Sequence, residues 1–250
     1  GIQMMDRIVT EFTEEDVQAL SDNVVTILKT VRNMTQPDIM ALANQSVEIA
    51  VQQDLQEGEA VACQKGCGAC CAQLVPVSEL EIREIAMFIE NLPASKRKRI
   101  RQAFNEAQAR FEAAGLWEKL LHPEQLEVSE RIEFSLRYFE LGVYCPFLEE
   151  GACSIHPVRP VSCREYLVKS SPEHCANPRA GNIDGIAVPN RVSNALGILF
   201  EDDKNYVSAW VPLITSPFWG RLHPQREALK TGPAWVELFL GKLKKVSGND

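Results

Sequence analysis

Apolar side chains recur every three or four positions along most of the chain, a spacing that places them on one face of an α-helix. In residues 12–56 this pattern predicts two helices. Another helix is predicted to begin after Ser78, because Ser78 and Glu81 match the capping-box pattern, and Pro93 follows as a stop signal. The helix boundaries are therefore marked in the sequence as clearly as the helices themselves.

The same spacing predicts further helices over residues 94–115, 128–141, 190–201 and 232–245. Gly115 and Gly142 end the first two, since glycine is favoured just after the C-cap of a helix. Residues 143–189 are rich in Pro and Gly and predict irregular structure, with one or two helical turns in "RPVSCREYL". The segment "WVPLITSPFWG" predicts a packed irregular connection broken by proline. Strict apolar–polar alternation is rare, so we expect a mainly α fold.

Composition and charge indicate which classes of protein the chain can belong to. Hydrophobic residues make up 45% of the chain, enough for a sizeable core without cross-links. The net charge of −8 argues against a nucleic-acid partner. The one basic run, residues 95–101, is expected to be a solvated helix face, with an anion contact as the alternative. No apolar run approaches the roughly 20 residues that span a bilayer, and no secretion signal is evident, so we expect a cytoplasmic protein.

The cysteines carry the main chemical signal of the sequence. The chain has eight, and they fall into two segments: Cys63, Cys67, Cys70, Cys71, then Cys145, Cys153, Cys163 and Cys175. Three interpretations are open, namely a metal site, a redox-active thiol pair and disulfides. No βαβ pattern supports a thioredoxin-like pair, and a reducing compartment disfavours disulfides. The clustering and the C-x-x-C spacing favour metal binding, by zinc or by an iron–sulfur cluster.

Adjacent cysteines indicate more than one metal ion. The side chains of Cys70 and Cys71 diverge by about 100° in a helix or about 180° in a strand, so neighbours rarely bind the same ion. Eight thiolates suit two ions or a cluster better than one zinc. Because such a centre is anionic, we expect Arg159, Arg164 and Lys65 to donate hydrogen bonds to sulfur. Ordinary salt bridges, for Arg164 to Glu165 or Glu201, are the alternative.

The four histidines are weaker candidates than the cysteines. His156 and His174 lie among the cysteines of the second segment, and each is either a metal ligand or a hydrogen-bonding neighbour. His122 and His223 each precede a proline and are expected to be structural. No P-loop, dinucleotide fingerprint or H-E-x-x-H motif is present.

The two cysteine segments together resemble a known family. "CQKGCGACCAQLVPVSELEIREIA" and "CPFLEEGACSIHPVRPVSCREY" are similar, in order and character, to the two blocks of the YkgJ-like cysteine-cluster proteins, the CxxCxxCC family. The resemblance covers about residues 60–176 and implies a zinc- or iron-chelating domain. Flagellin lysine methylases carry a similar block, but no methyl-donor motif is found here. His156 stands where the family pattern leads us to expect an aromatic residue such as Tyr.

These observations predict one mainly α domain in which the two irregular cysteine segments converge on a metal site. Its parts are N-terminal helices over residues 4–59, the cysteine-cluster region over 60–189 and C-terminal helices over 190–250. The predicted function is binding of zinc or an iron–sulfur cluster. The alternative is an enzyme that uses this centre for redox or methyl-transfer chemistry. No membrane partner is expected. Whether the chain has a protein partner does not follow from the sequence.

Overall fold

The computed structural model describes four parts of the chain: residues 40–48 except 41, residues 71–165, residues 191–223 and residues 232–247. Most of the first predicted helical region, 12–56, lies outside these parts, and so does the second half of the predicted irregular stretch. Within the first part, residues 42–48 are helical and form α1, in agreement with the second helix predicted there.

Helices dominate the described residues, as the sequence predicts. After α1 they are α2 (Glu79–Glu90), α3 (Ala94–Ala113), α4 (Trp117–Leu121), α5 (Val128–Glu140), α6 (Val161–Glu165), α7 (Arg191–Gly197), α8 (Ser216–Leu222) and α9 (Gly232–Ser247). Single 3₁₀ turns occur at Pro123–Gln125, His156–Val158 and Leu213–Thr215. None of the helices in the described parts of the chain combines the length and apolar character that a membrane-spanning helix needs.

Four two-residue strands form two antiparallel pairs among the described residues. The strand β1 (Pro76–Val77) pairs with β4 (Val211–Pro212), and β2 (Leu148–Glu149) pairs with β3 (Ala152–Cys153). The first pair joins the segment just after Cys71 to a part of the chain that is distant in sequence. The second is a hairpin inside the second cysteine segment.

The start of α2 confirms the predicted capping box. The Ser78 hydroxyl accepts a hydrogen bond from the Glu81 amide at 3.4 Å, and the Glu81 carboxylate accepts one from the Ser78 amide at 2.7 Å. The helix ends at Glu90, and Pro93 comes directly before α3. The carbonyl of Pro93 accepts from the first-turn amides of Lys96 and Arg97, so this proline also marks the start of the next helix.

The C-terminus of α3 shows why Gly115 ends that helix. The amide of Leu116 donates to the carbonyl of Phe111 at 3.0 Å, and the amide of Gly115 donates to that of Glu112 at 3.0 Å. This is the Schellman pattern, which requires a positive φ, and Gly115 has φ +74°. Leu116 and Phe111 are both buried, which supplies the apolar contact that accompanies the motif. Gly142 ends α5 with φ +63°, as predicted.

The segment that begins at Trp210 is more regular than its prolines suggest. It contains β4, a 3₁₀ turn and α8, whereas the sequence predicted an irregular connection. Pro217 lies in the first turn of α8, where its missing amide costs nothing, so it begins the helix rather than breaking it. The pairing with β1 also satisfies backbone groups whose partners could not be assigned from the sequence, because the partner strand is far away along the chain.

Among the residues that the structure describes, buried side chains form two clusters. The first is built from α2 to α5 and includes the stacked pair Phe111–Tyr138, whose ring centroids lie 4.5 Å apart. The second is built from α1, α7 and α9 and includes Trp235. Leu80 and Val161 belong to this second cluster although they lie in the cysteine-bearing half of the chain. The cysteine region therefore contributes to both clusters.

Candidate metal centre

The predicted ligands divide evenly between residues inside and outside the described parts. The four that the structure describes, each half-buried, are Cys71, Cys145, Cys153 and Cys163. The other four, Cys63, Cys67, Cys70 and Cys175, lie outside the described residues, as do Lys65 and His174. Each described cysteine carries a thiol rather than a disulfide bond.

A backbone hydrogen bond joins the two cysteine segments. The amide of Cys145, the first cysteine of the second segment, donates to the carbonyl of Cys71, the last of the first segment, at 2.7 Å. The carbonyl of Cys145 in turn accepts from the Leu148 amide at 2.9 Å, which turns the chain toward the hairpin. The two segments are thus in direct contact, although α2 to α5 separate them in sequence.

The hairpin β2–β3 positions Cys153. Its two turn residues, Glu150 and Gly151, have φ values of +50° and +79°, the combination of a type I′ turn. This turn matches the twist of the two strands and sets Cys153 opposite Leu148. Cys145 and Cys153 both pack against the first buried cluster. Burial of one side of each residue fixes its backbone relative to the helical core.

Cys163 lies in the short helix α6, which Glu81 holds in place. The amide of Val161 donates to Glu81 Oε1 at 2.7 Å, and the hydroxyl of Ser162 donates to the carbonyl of Pro76 at 2.7 Å. The capping residue of α2 therefore also receives the first amide of the helix that carries Cys163. Sequence analysis identified Glu81 only as part of a capping box, because its second bond spans 80 residues.

Burial makes Glu81 an unusual carboxylate. Its residue is 2% exposed, and desolvation raises its pKa, while the hydrogen bonds from Ser78 and Val161 act to lower it. Its two oxygens accept three bonds, from the amide and hydroxyl of Ser78 and from Val161. Glu81 links α2 and α6 strongly, because without its carboxylate the buried donors of Ser78 and Val161 would have no hydrogen-bond partner.

Arg159 and Arg164 form a positively charged pair on either side of Cys163. The guanidinium of Arg164 donates to the carbonyl of Pro157 at 3.2 Å, and that of Arg159 contacts His156 Nε2. The Nε atoms of both arginines are buried and have no hydrogen-bond acceptor among the residues that the structure describes. Burial and the charge of Arg159 lower the pKa of Arg164, while the charges of Glu48 and Cys163 act to raise it.

The alternative salt bridge from Arg164 to Glu201 does not form. The Glu201 carboxylate instead binds Lys242 at 2.9 Å and Lys245 at 2.5 Å, between the end of α7 and α9. Both lysines hold the pKa of Glu201 below its usual value. Glu201 is therefore engaged by the two lysines, and the Nε groups of Arg159 and Arg164 have no acceptor in the described part of the chain.

Residues 62–180 match the model of the CxxCxxCC family, described as "Putative zinc- or iron-chelating domain". The chain contains a CxxCxxCC domain. The matched stretch holds all eight cysteines and the helices α2 to α6. The match confirms the resemblance seen in the two cysteine blocks and supports a metal-binding role for this part of the chain. No curated protein and no solved structure matches the chain.

Within the CxxCxxCC domain, His156 has a partner that the sequence did not reveal. Its Nε2 accepts from the Arg159 guanidinium, a contact three residues along the chain. The other two histidines that the structure describes make local contacts, which agrees with a structural role. His122 Nδ1 lies 3.3 Å from Glu124, and His223 stacks on Trp219 with ring centroids 4.3 Å apart.

Tyr138 is a neighbour of the site that sequence analysis missed. It is buried in the first cluster, and burial together with the nearby charge of Cys145 raises the pKa of its phenol well above the usual range. The phenol is therefore neutral, so it keeps its proton beside the cysteine. In the sequence Tyr138 has the spacing of an ordinary core aromatic residue, which gave no signal of this position.

The described thiols do not complete a metal site by themselves. Among the residues that the structure describes, no three His, Cys, Asp or Glu side chains come together in a group that could hold a metal ion. The described part thus supplies a framework: contact between the two segments, three anchored cysteines in the second segment and a pair of arginines.

Proposed function

We propose that the CxxCxxCC domain binds zinc or an iron–sulfur cluster through cysteines of both segments. The observation that carries this proposal is the hydrogen bond between the Cys145 amide and the Cys71 carbonyl, which joins the two segments at their cysteines. Clustered thiolates are the preferred ligands of zinc and of iron–sulfur clusters. The proposed ligand set comprises Cys63, Cys67, Cys70, Cys71, Cys145, Cys153, Cys163 and Cys175.

The charged residues fit an anionic centre. A zinc ion with four thiolates has a formal charge of −2, and such charge needs compensation where water is excluded. Arg159 and Arg164 present buried Nε donors that lack acceptors among the described residues, an arrangement that thiolate sulfur would satisfy. Burial first, and then the positive charge of Arg159, lower the pKa of Arg164, and an anionic centre nearby would offset both effects.

The residues around the cysteines determine how firmly a metal would be held. Zinc would supply a structural cross-link between the two segments, and a cluster would add electron transfer. Glu81 fixes the helix of Cys163, the type I′ hairpin fixes Cys153, and the first buried cluster fixes Cys145. Ligands that are held before binding lose less conformational freedom when the metal binds. We further propose that the chain acts in a reducing compartment, where thiolates persist.

Metal analysis of anaerobically purified protein tests the proposal. We expect zinc or iron in stoichiometric amount, and a visible absorption band if the centre is an iron–sulfur cluster, since zinc is colourless. Cys71→Ser and Cys163→Ser should each lower the metal content. Met87→Ser is the matched control, because it removes a sulfur atom from an exposed position of α2 and should leave the metal content unchanged.

Two results of the metal analysis would contradict the proposal. Full metal content in both cysteine variants would exclude these two residues as essential ligands. Protein that contains neither zinc nor iron after anaerobic purification, and that takes up neither metal when it is supplied, would overturn the proposal as a whole.

A further inference from the structure

A pocket of about 730 Å³ lies where the CxxCxxCC domain meets the C-terminal helices. On one side it is lined by β1, the start of α2 and α5, which belong to the matched stretch. On the other side it is lined by α7, by Trp210 just before β4 and by Val246 of α9, which lie outside that stretch. Its volume falls within the range of roughly 300–1,000 Å³ that is typical of small-molecule sites.

The walls of the pocket are mainly apolar, with aromatic groups on two sides. Phe134 of α5 and Trp210 provide ring surfaces, and Ile198 adds an aliphatic wall. Ser135 and Asn194 place polar side chains at the lining. A pocket with a large apolar surface and a few polar groups favours an organic molecule with an apolar body.

The two charged groups of the lining differ in how many hydrogen-bond partners they already have. Glu81 is the one carboxylate among the lining residues, and its oxygens already accept three hydrogen bonds from Ser78 and Val161. Arg131 is the one cation in the lining, and it is exposed. No residue forms a hydrogen bond or an ion pair with the Arg131 guanidinium in the described part of the chain. The pocket therefore offers an unmatched positive charge next to apolar walls.

We propose that this pocket binds an amphipathic organic anion. The anionic group, a carboxylate, sulfonate or phosphate, binds Arg131, and the apolar body lies against Phe134 and Trp210. Arginine suits this role because its planar group can donate two parallel hydrogen bonds to an oxyanion. A cationic ligand is disfavoured, because it would meet Arg131 while the buried Glu81 carboxylate is already satisfied.

A pair of fluorescent probes that differ in one charged group tests the proposal on the full chain as purified. 1-Anilinonaphthalene-8-sulfonate carries the anion, and N-phenyl-1-naphthylamine is the same molecule without it. We expect the sulfonate to bind with a stoichiometry of one. Arg131→Ala should weaken binding of the sulfonate at least about tenfold, because a charge-assisted bond is lost. The same change should alter the affinity of the neutral probe by less than about twofold.

Two further variants separate this site from unspecific binding. Arg137→Ala removes an exposed arginine of the same helix that does not line the pocket, and it should leave the affinity for the sulfonate unchanged. Ser135→Trp fills the pocket and should weaken binding of both probes, with the fold checked by circular dichroism and thermal melting.

Several results would overturn the proposal. They are absence of saturable sulfonate binding, equal sulfonate affinity in the wild type and Arg131→Ala, and unchanged binding of both probes by folded Ser135→Trp. None of these results depends on the metal content, which is measured separately. The pocket and the metal centre can therefore fail or succeed independently.

Discussion

Arg164 shows what one residue can contribute beside a cluster of thiols. Its guanidinium is half-buried, one of its nitrogens reaches the carbonyl of Pro157, and its Nε has no acceptor in the described part of the chain. A buried donor without a partner costs free energy, roughly 1–3 kcal/mol. This cost is offset if the donor faces the thiolate of a bound metal, so Arg164 is expected to stabilise the loaded state more than the empty one.

Arg164→Ala should therefore weaken metal retention by about 10- to 100-fold in affinity, the usual effect of losing a partner of a metal ligand. Arg164→Lys should restore only part of the affinity, since a point charge lacks the planar fork of arginine. Competition with a metal chelator measures both effects. Arg137→Ala, an exposed change on α5, is the control. Wild-type affinity in Arg164→Ala would remove this arginine from the metal site.

At the scale of secondary structure, Glu81 is the link between elements. It caps α2 through Ser78 and receives the first amide of α6 through Val161, so that one carboxylate joins two helices. Burial raises the pKa of Glu81 above the usual range of a glutamate carboxyl. The folded protein thus binds this proton more tightly than the unfolded chain does. The contribution of Glu81 to stability is fully present below the unfolded pKa and is lost as the pH rises through the folded pKa.

Glu81→Gln removes this titration and gives a pH-dependent prediction. The free energy of unfolding of the wild type, minus that of Glu81→Gln, should decrease as the pH rises above about 4.5. Urea unfolding at a series of pH values measures the difference. Glu118→Gln, at an exposed position of α4, is the matched control. Curves for the wild type and Glu81→Gln that stay parallel across this range would show that Glu81 does not titrate differently in the folded state.

Glycines at helix ends show another way in which single residues determine secondary structure. Gly115 and Gly142 end their helices by adopting positive φ values, a preference that the residue itself supplies. Gly197 is the last residue of α7, and the requirement for glycine there is steric. A Cβ atom at this position would lie 2.0 Å from the carbonyl oxygen of Ala209, so only glycine allows this close backbone approach. The sequence pattern predicted this helix to residue 201, whereas the structure ends it at Gly197. The contact with Ala209 was not predictable from the local pattern, because Ala209 lies farther along the chain.

For the molecule as a whole, the cysteine region lies at the junction of the two buried clusters. Leu80 and Val161 pack into the cluster of α1, α7 and α9, while Cys145 and Cys153 pack against the other. A metal that cross-links the two cysteine segments would therefore stabilise contacts of both clusters. Binding free energy of this kind appears directly as folding free energy.

Removal of the metal should consequently lower the stability of the whole protein. If the metal is present at about 1,000 times its dissociation constant, its loss removes about 4 kcal/mol. For a chain of this size that corresponds to a decrease in Tm of about 8–16 °C. Thermal melts before and after treatment with a strong chelator measure the change, and addition of zinc or iron should reverse it. An unchanged melt after verified metal removal would show that the metal does not hold the segments together.

Features that depend only on neighbouring residues could be predicted from the amino-acid sequence alone. The capping box at Ser78, the glycines that end α3 and α5 and the mainly helical class follow from local preferences, and the structure confirms them. The clustering of cysteines is likewise visible without coordinates, and it was sufficient to indicate the CxxCxxCC family. These features are local because backbone dihedrals, capping hydrogen bonds and ligand spacing are set within a few residues. The predicted division into three regions of one domain stays a prediction.

Contacts between groups that are distant in sequence could be identified only from the folded chain. The bond between Cys145 and Cys71, the second role of Glu81 and the burial of Tyr138 beside Cys145 all join residues that no local pattern connects. The pocket around Arg131 depends in the same way on segments that are distant in sequence, from Leu74 to Val246. Burial and long-range hydrogen bonds depend on how helices pack, and packing is a property of the whole set of side chains. The sequence therefore identified the chemistry of the thiols, and the fold decided which groups surround them.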